Sequence, residues 1–446
     1  MSDPAHPAGP HGLNRRKLLL AAAGGAVLLG GGAAVVLSGG KAGSGPKPPP
    51  GAGSPPPEQQ TPSGTSVRQL VLAGADATAA WTATFDVKKP PPSILDSSDG
   101  LTVADGAVIS ISYYGITAYD TATGRPLWPA PVRMTGLSGV GGQLLAAGTV
   151  VYAAGRTASG KDVLAAVDST TGTVAWSAEL PEPAWQAQRV AGASNGIVYV
   201  TGSASTDAEG FSDSGFIWAF DTIRRQEAWR ATGKDIGAVL VPSGRGPVLT
   251  GTQVDGSTGR LQTYDAATGA KGWEHTIPNC APDFARRDTQ AFCLAGGHFV
   301  YGATDQLYAL DPETGAEAWT YPTAGGVYGP PFERPTAGSD GNTVLVDDRR
   351  TLYAFDARTG AQRWLVAGPK RGFTPLAIPC CANGVFYIQG EDGTLWAVNL
   401  ADGTTRWKYA PTPAPSYGNW GRFVVDGKRA YLTTGTTLTA IGSGVN

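Results

Sequence analysis

The sequence predicts an all-β chain: an eight-bladed β-propeller of four-stranded blades. Three observations predict it. One phrase, apolar-x-Ala-x-Asp-x-x-Thr-Gly-x-x-x-Trp, recurs along the chain. Its tryptophans fall 43 to 53 residues apart, the length of one four-stranded blade. The two ends of the array carry complementary fragments of the same phrase, so the ring closes by pairing of the N- and C-terminal strands.

Residues 1–17 form a basic n-region ending in Arg15, Arg16 and Lys17. Residues 18–37 are uncharged, with five glycines and six alanines among leucines and valines. As a helix they reach ~30 Å, enough to cross a bilayer core, and the basic flank predicts an N-in, C-out orientation. Small residues at Ser38 and Gly40 permit cleavage, so a removed signal and a retained transmembrane anchor both stay open. Residues 38–66 contain 15 Pro or Gly among 29 and read as a disordered, semi-extended linker. It would hold the propeller, residues 67–446, off a membrane in an extracytoplasmic position.

The copies follow in order. "ITAYDTATGRPLW" ends at Trp128 and "LAAVDSTTGTVAW" at Trp176. A worn copy, "IWAFDTIRRQEAW", ends at Trp229, and "LQTYDAATGAKGW" ends at Trp273. "LYALDPETGAEAW", "LYAFDARTGAQRW" and "LWAVNLADGTTRW" end at Trp319, Trp364 and Trp407. From Leu438, "LTAIGSGVN" opens an eighth copy without its tryptophan, and "ATAAWTATF" near the start carries Trp81 without the front half. Joining these fragments completes one blade and removes the open sheet edges of a linear array. The 63 glycines and 34 prolines suit a chain that turns every few residues.

Within a copy each residue type has a physical task. In "LYAL", Leu307 and Ala309 face one side of the sheet, Tyr308 and Leu310 the other. Asp120, Asp168, Asp265, Asp311 and Asp356 can accept hydrogen bonds from turn amides two or three residues on. Gly124, Gly172, Gly269, Gly315 and Gly360 supply the positive φ such a turn needs. The tryptophans are expected to pack flat between one blade and the next. Burying one indole removes roughly 200 Å² from water, at most about 5 kcal/mol. These aspartates and tryptophans therefore read as structural, and no catalytic residue is assigned.

The run Ala309-x-Asp311-x-x-Thr314-Gly315-x-x-x-Trp319 resembles the tryptophan-docking motif of the quinoprotein alcohol dehydrogenases. It is equally similar to the PQQ-type repeats of the BamB family of outer-membrane assembly lipoproteins. The resemblance spans residues 67–446 and implies the fold. Family members either bind pyrroloquinoline quinone or bind no cofactor. No lipobox cysteine follows the apolar run, a departure from BamB. Arg15-Arg16 before an apolar run also resembles a twin-arginine export signal, with Asn14 where Ser or Thr is usual. A basic flank, an anchor and a Pro-rich stalk resemble the segment joining actinobacterial Ser/Thr kinases to their extracellular propeller sensors. Only 14 residues precede Arg15, so no kinase domain is expected ahead of it.

The four cysteines, Cys280, Cys293, Cys380 and Cys381, are an even number in a chain read as exported, which favours disulfides. The preferred pairing is Cys280 with Cys293 and Cys380 with its neighbour Cys381. The adjacent pair resembles the vicinal disulfide that covers the cofactor in quinoprotein dehydrogenases, though there it belongs to an early blade.

In antiparallel blades with strands A to D from the axis outward, the D-to-A and B-to-C connections share one face. They include residues 205–215, 278–288, 321–338, 367–373 and 410–421, whereas the connections of the other face are terse. Long loops gathered on a rigid ring are where binding resides. Tyr328, Phe332, Arg334, Arg371, Tyr417 and Trp420 are the candidate partner-binding lining, suited to peptides, glycans or anions.

Three functions follow. The preferred reading is a non-enzymatic binding or scaffold propeller for a cell-envelope protein, peptide or glycan, with membrane contact through the N-terminal segment. The alternative is a PQQ- and calcium-dependent dehydrogenase, for which no calcium-ligand constellation transfers. A hydrolase is disfavoured, since beyond the linker only His275 and His298 occur, without a nucleophile motif or metal-ligand spacing. His298, in "GGHFVY", reads as a turn residue. No metal site and no cofactor are predicted. Net charge is −2 without a basic cluster in the propeller, so nucleic acid is not a predicted partner.

Overall fold

The structure, a computed structural model, describes the chain from residue 69 to residue 442 apart from short stretches. The longest of these are 85–99, 133–143, 205–213, 281–291, 323–332 and 413–421. The expected n-region, apolar segment and linker lie outside the described residues.

Eight antiparallel sheets form the ring. Their inner strands, in chain order, are Gly100–Ala104, Leu144–Ala147, Trp185–Ser194, Ala238–Leu240, Phe292–Ala295, Glu333–Ala337, Cys380–Ala382 and Phe423–Val425, and they number blades 1 to 8. The eighth inner strand lies against the first and closes the circle. Blade 5 is typical: Phe292–Ala295, His298–Gly302, Gln306–Leu310 and Glu317–Pro322 pair in that order from the axis outward. His298 is the first residue of its strand rather than a turn residue. Part of the stretch 321–338, read as a loop, is strand at both ends.

Alternation along each strand sends successive side chains into two different blade interfaces. Leu307 and Ala309 pack toward blade 6, Tyr308 and Leu310 toward blade 4. The core is consequently divided into eight apolar wedges, one per interface, each built from two neighbouring blades.

Closure joins the chain's two ends in blade 8. The strand Ala79–Thr84 pairs antiparallel with Thr437–Gly442, placing Trp81 opposite Ala440 and Ala83 opposite Leu438. The entering chain does more than this. Gln69–Val71 adds a parallel fifth strand to the outer edge of blade 6, and Ala75–Asp76 adds one to blade 7. Leu72 drops into the wedge between those blades beside Trp364 and Leu400. The chain thus forms a strap across two blades before it completes a third.

Blade 1 is the irregular one. Its sheet has three regular strands, and the outer segment is held by bridges at Pro126 and Val132. Pro126 and Pro129 cannot donate to a ladder, which interrupts the outer strand there.

Candidate functional site

The two ends of the ring differ in chemistry. At one end lie the A-to-B and C-to-D turns. Each complete C-to-D turn is organised by its aspartate: Asp311 Oδ1 accepts from the amides of Glu313 and Thr314 at 3.0 and 2.8 Å and from the Thr314 hydroxyl at 2.9 Å. Those donors hold the Asp311 carboxyl below its ordinary range, the Thr314 hydroxyl foremost. Asp120, Asp168, Asp265 and Asp356 make the same three contacts in their own turns.

The turn glycine and the preceding blade's tryptophan meet at the seam. Trp319 Nε1 donates to Ala357 O at 3.0 Å, and a Cβ on Gly360 would sit 2.7 Å from the same indole. Trp81, Trp128, Trp229, Trp273 and Trp364 donate equivalently to Thr121, Ser169, Ala266, Pro312 and Leu400. Trp176 faces the worn turn, where Arg225 takes the left-handed position with φ 56° in place of glycine. It packs on the rings of Tyr152 and Phe220 instead. For Trp407 the equivalent carbonyl belongs to Ser443, outside the described residues.

Neighbouring A-to-B turns are laced together. Gly296 N donates to Gly341 O at 2.7 Å, Gly384 N to Ser339 Oγ at 2.9 Å, and Asn383 Nδ2 to Gly427 O at 3.1 Å.

The other end carries the D-to-A and B-to-C connections. Of the six lining residues expected there, Tyr328, Phe332, Tyr417 and Trp420 lie outside the described residues. Arg371 is exposed on the connection between blades 6 and 7. Arg334 is not part of an exposed lining: it is 8% exposed and bound internally. Its Nη2 donates to Asp347 Oδ2 at 2.7 Å, while Nη1 donates to Thr374 O and, at 2.7 Å, to Ala377 O. A bulge at this point, with Arg334 at φ 51°, turns the side chain inward.

This buried pair underlies two stacked surface turns: the connection 367–373, which the sequence places among the long loops of this face, and the turn at 347–351, which sequence reasoning missed. Asp347 Oδ1 accepts from Arg349 N at 3.0 Å, and Asp348 Oδ1 from Arg350 N at 2.9 Å. The connection at 368–373 lies alongside, Gly368 N donating to Arg350 O at 2.6 Å and Phe373 N to Arg349 O at 2.7 Å. Gly368 and Gly372 permit this approach, because a Cβ on either would meet an arginine carbonyl at 2.6 Å. Arg349, Arg350, Lys370 and Arg371 are all exposed on these turns. The signal was present as "DDRR" and "PKRG", but their separation in sequence hid their adjacency.

The cysteines are all free thiols. Alternation is the reason. Cys280 packs beside Phe292 in the wedge between blades 4 and 5, whereas Cys293 faces the wedge between blades 5 and 6. Cys380 and Cys381 are successive residues of one strand, pointing into the wedges on opposite sides of blade 7. Burial pushes the Cys293 and Cys380 thiols far above their ordinary value and Cys381 up to about 12. His275 is half-buried with its Nε2 3.4 Å from the Tyr301 hydroxyl, and burial lowers its pKa. His298 Nδ1 lies 3.2 Å from Ala357 O.

A quinone with calcium would need convergent oxygen ligands and a roof. Among the described residues no group of three or more His, Cys, Asp or Glu side chains converges. Cys380 and Cys381 point apart rather than forming a lid. The described residues therefore do not fit that group. Nor does any helix among them have the length and apolarity to cross a membrane.

A family model described as outer membrane protein assembly factor BamB matches residues 67–205, 114–286, 257–336 and 332–443. The serine/threonine-protein kinase AfsK of Streptomyces griseus is 30% identical over 171 residues, 37% of this chain and 20% of the kinase. AfsK of Streptomyces coelicolor is 27% identical over 203 residues, 45% of this chain and 24% of the kinase. The chain thus spans at most a quarter of the length of these curated relatives. Among solved structures, BamB from Moraxella catarrhalis superposes with a TM-score of 0.55 at 18% identity, covering 83% of this chain and 99% of that one. The quinohemoprotein alcohol dehydrogenase ADHIIG from Pseudomonas putida HK5 gives 0.55 at 14% identity, covering 83% and 77%. At these identities the structural likeness is one of fold.

Proposed function

The chain belongs to the BamB family of PQQ-type repeat propellers, and from that premise we propose that it is a binding or scaffold propeller of the cell envelope. It recognises a protein partner with its D-to-A and B-to-C face. The observation that carries this reading is the asymmetry of the ring. Several A-to-B turns at one end bond to one another, whereas the opposite end holds the long connections and the two adjoining cationic turns of blade 6.

The path of the chain supports an outward-facing loop end. Gln69–Val71 runs parallel to Gln362–Ala367, which leads from a C-to-D turn to a D-to-A connection. The chain therefore enters the ring heading toward the loop face. A tether in residues 1–66, as an anchor at 18–37 or a cleaved twin-arginine-type signal, leaves the loop face free for a partner. The name of the BamB relative, an outer membrane assembly factor, points to a protein partner, and peptide or glycan recognition uses the same face.

A photo-crosslinking residue at Arg371 should capture an envelope protein in cells, and one at Arg358, exposed on the turn end of the same blade, should not. Capture from Arg358 alone, or from neither site, overturns the reading. Calcium-dependent uptake of pyrroloquinoline quinone with dye reduction by alcohols or sugars would overturn it in favour of a dehydrogenase.

A further inference from the structure

We propose that the paired turns of blade 6, residues 347–351 and 368–373, form a preorganised anion-reading surface that takes an acidic segment of a polypeptide partner. This deepens the binding-propeller reading and rests on it. Four cations, Arg349, Arg350, Lys370 and Arg371, project from two turns joined by backbone hydrogen bonds of 2.6 and 2.7 Å. Asp347 of these turns is paired with Arg334, which leaves Asp348 as their other carboxylate, so the two turns carry net positive charge in a chain of net charge −2. No ion pair among the described residues involves Arg350, Lys370 or Arg371.

The frame beneath the cations is unusual for a surface turn. The Arg334–Asp347 pair is buried, with side chains 7% and 1% exposed. Buried pairs contribute little net stability, because desolvation offsets the attraction, and their best-attested role is to specify one arrangement. Here the arrangement is explicit. Asp347 begins the first turn, and Arg334 binds the carbonyls of Thr374 and Ala377, which follow the second. One buried guanidinium therefore fixes both turns relative to each other. Arg334 and Arg349 also adopt left-handed backbone, at φ 51° and 69°, a conformation arginine rarely takes. A fixed frame removes part of the ordering cost of binding.

The chemistry favours a peptide. Guanidinium forks match carboxylates in pairs. Glu391 and Asp392 stand on the adjoining turn, with Glu391 N bonded to Gly372 O at 2.9 Å. They limit the attractive area to two turns. A short acidic segment fits that area, while a charged plane or a long polyanion would also meet the carboxylates.

The test is fluorescence anisotropy with a labelled oligoglutamate peptide and the purified propeller. We expect salt-sensitive binding that falls about tenfold or more in R350E/K370E/R371E and is unchanged in R358E. Absence of binding, equal binding by the triple variant, or a preference for phosphatidylglycerol vesicles or inorganic polyphosphate overturns the inference. The double substitution Arg334→Met with Asp347→Leu should keep the ring folded, weaken peptide binding and speed amide exchange at 368–373. Unchanged binding and exchange in that variant overturns the bracing role. If oligoglutamate fails while Arg371 still crosslinks an envelope protein, the inference falls and the binding-propeller reading stands.

Discussion

Trp364 Nε1 donates to Leu400 O at 2.9 Å, across the seam between blades 6 and 7. The same indole lies 2.8 Å from where a Cβ on Gly403 would be. One side chain therefore fills the seam, satisfies a turn carbonyl and demands a glycine opposite.

Removing it should be costly. Trp364 is 3% exposed, and truncation leaves a cavity as well as an unpaired carbonyl. Trp364→Ala is expected to lower stability by about 3–5 kcal/mol in denaturant unfolding. Trp176→Ala, at the seam where arginine replaces the turn glycine, should cost less. Equal losses would show that the turn contact adds nothing.

Two glycines separate backbone strain from collision. Gly297, at φ 85°, has open space around its missing side chain, whereas Gly360, at φ 71°, faces Trp319 at 2.7 Å. Gly297→Ala is expected to cost about 1 kcal/mol and Gly360→Ala roughly 2 kcal/mol or more. Thermal melts of the two variants decide it, and indistinguishable melting points would refute the contact.

The strap should protect edges without being needed for closure. Deleting residues 69–76 leaves Ala79–Thr84 to pair with Thr437–Gly442. Amide exchange should then quicken in Gln362–Ala367 and Thr405–Tyr409, the outer strands it covers, while the ring persists. Complete unfolding of the deletion variant would show that blade 8 pairing alone does not hold the ring.

Acid should weaken the ring through its turn carboxylates. The hydroxyls of Thr123, Thr268 and Thr314 are the largest causes holding Asp120, Asp265 and Asp311 below the ordinary value of 3.8. Such a carboxyl binds fewer protons in the folded ring than in the unfolded chain. Its contribution is therefore complete above that ordinary value and disappears as pH falls through the lowered one. Urea unfolding between about pH 6 and pH 3 should show stability falling toward the acid end. Thr314→Val should shrink that dependence, and an unaltered pH profile would contradict the assignment.

Four thiols should be titratable per chain in denaturant without reductant, because alternation keeps Cys280 from Cys293 and Cys380 from Cys381. In the folded protein, burial and raised thiol pKa values should slow alkylation of Cys293 and Cys380. A count of two or none would restore the disulfide reading.

By itself the sequence determined the repeat, the count of eight and the joining of its ends. Those features are legible because their chemistry is local: an aspartate, two amides and a glycine within one turn, then a tryptophan at fixed distance. The tertiary structure decided what depends on which wedge a residue enters. It separated neighbouring cysteines, buried Arg334 against Asp347, brought the cations of 349–350 and 370–371 together, and laid Gln69–Val71 on the edge of blade 6. Side-chain alternation and the curvature of the ring set those contacts, and neither is written in any short stretch of residues.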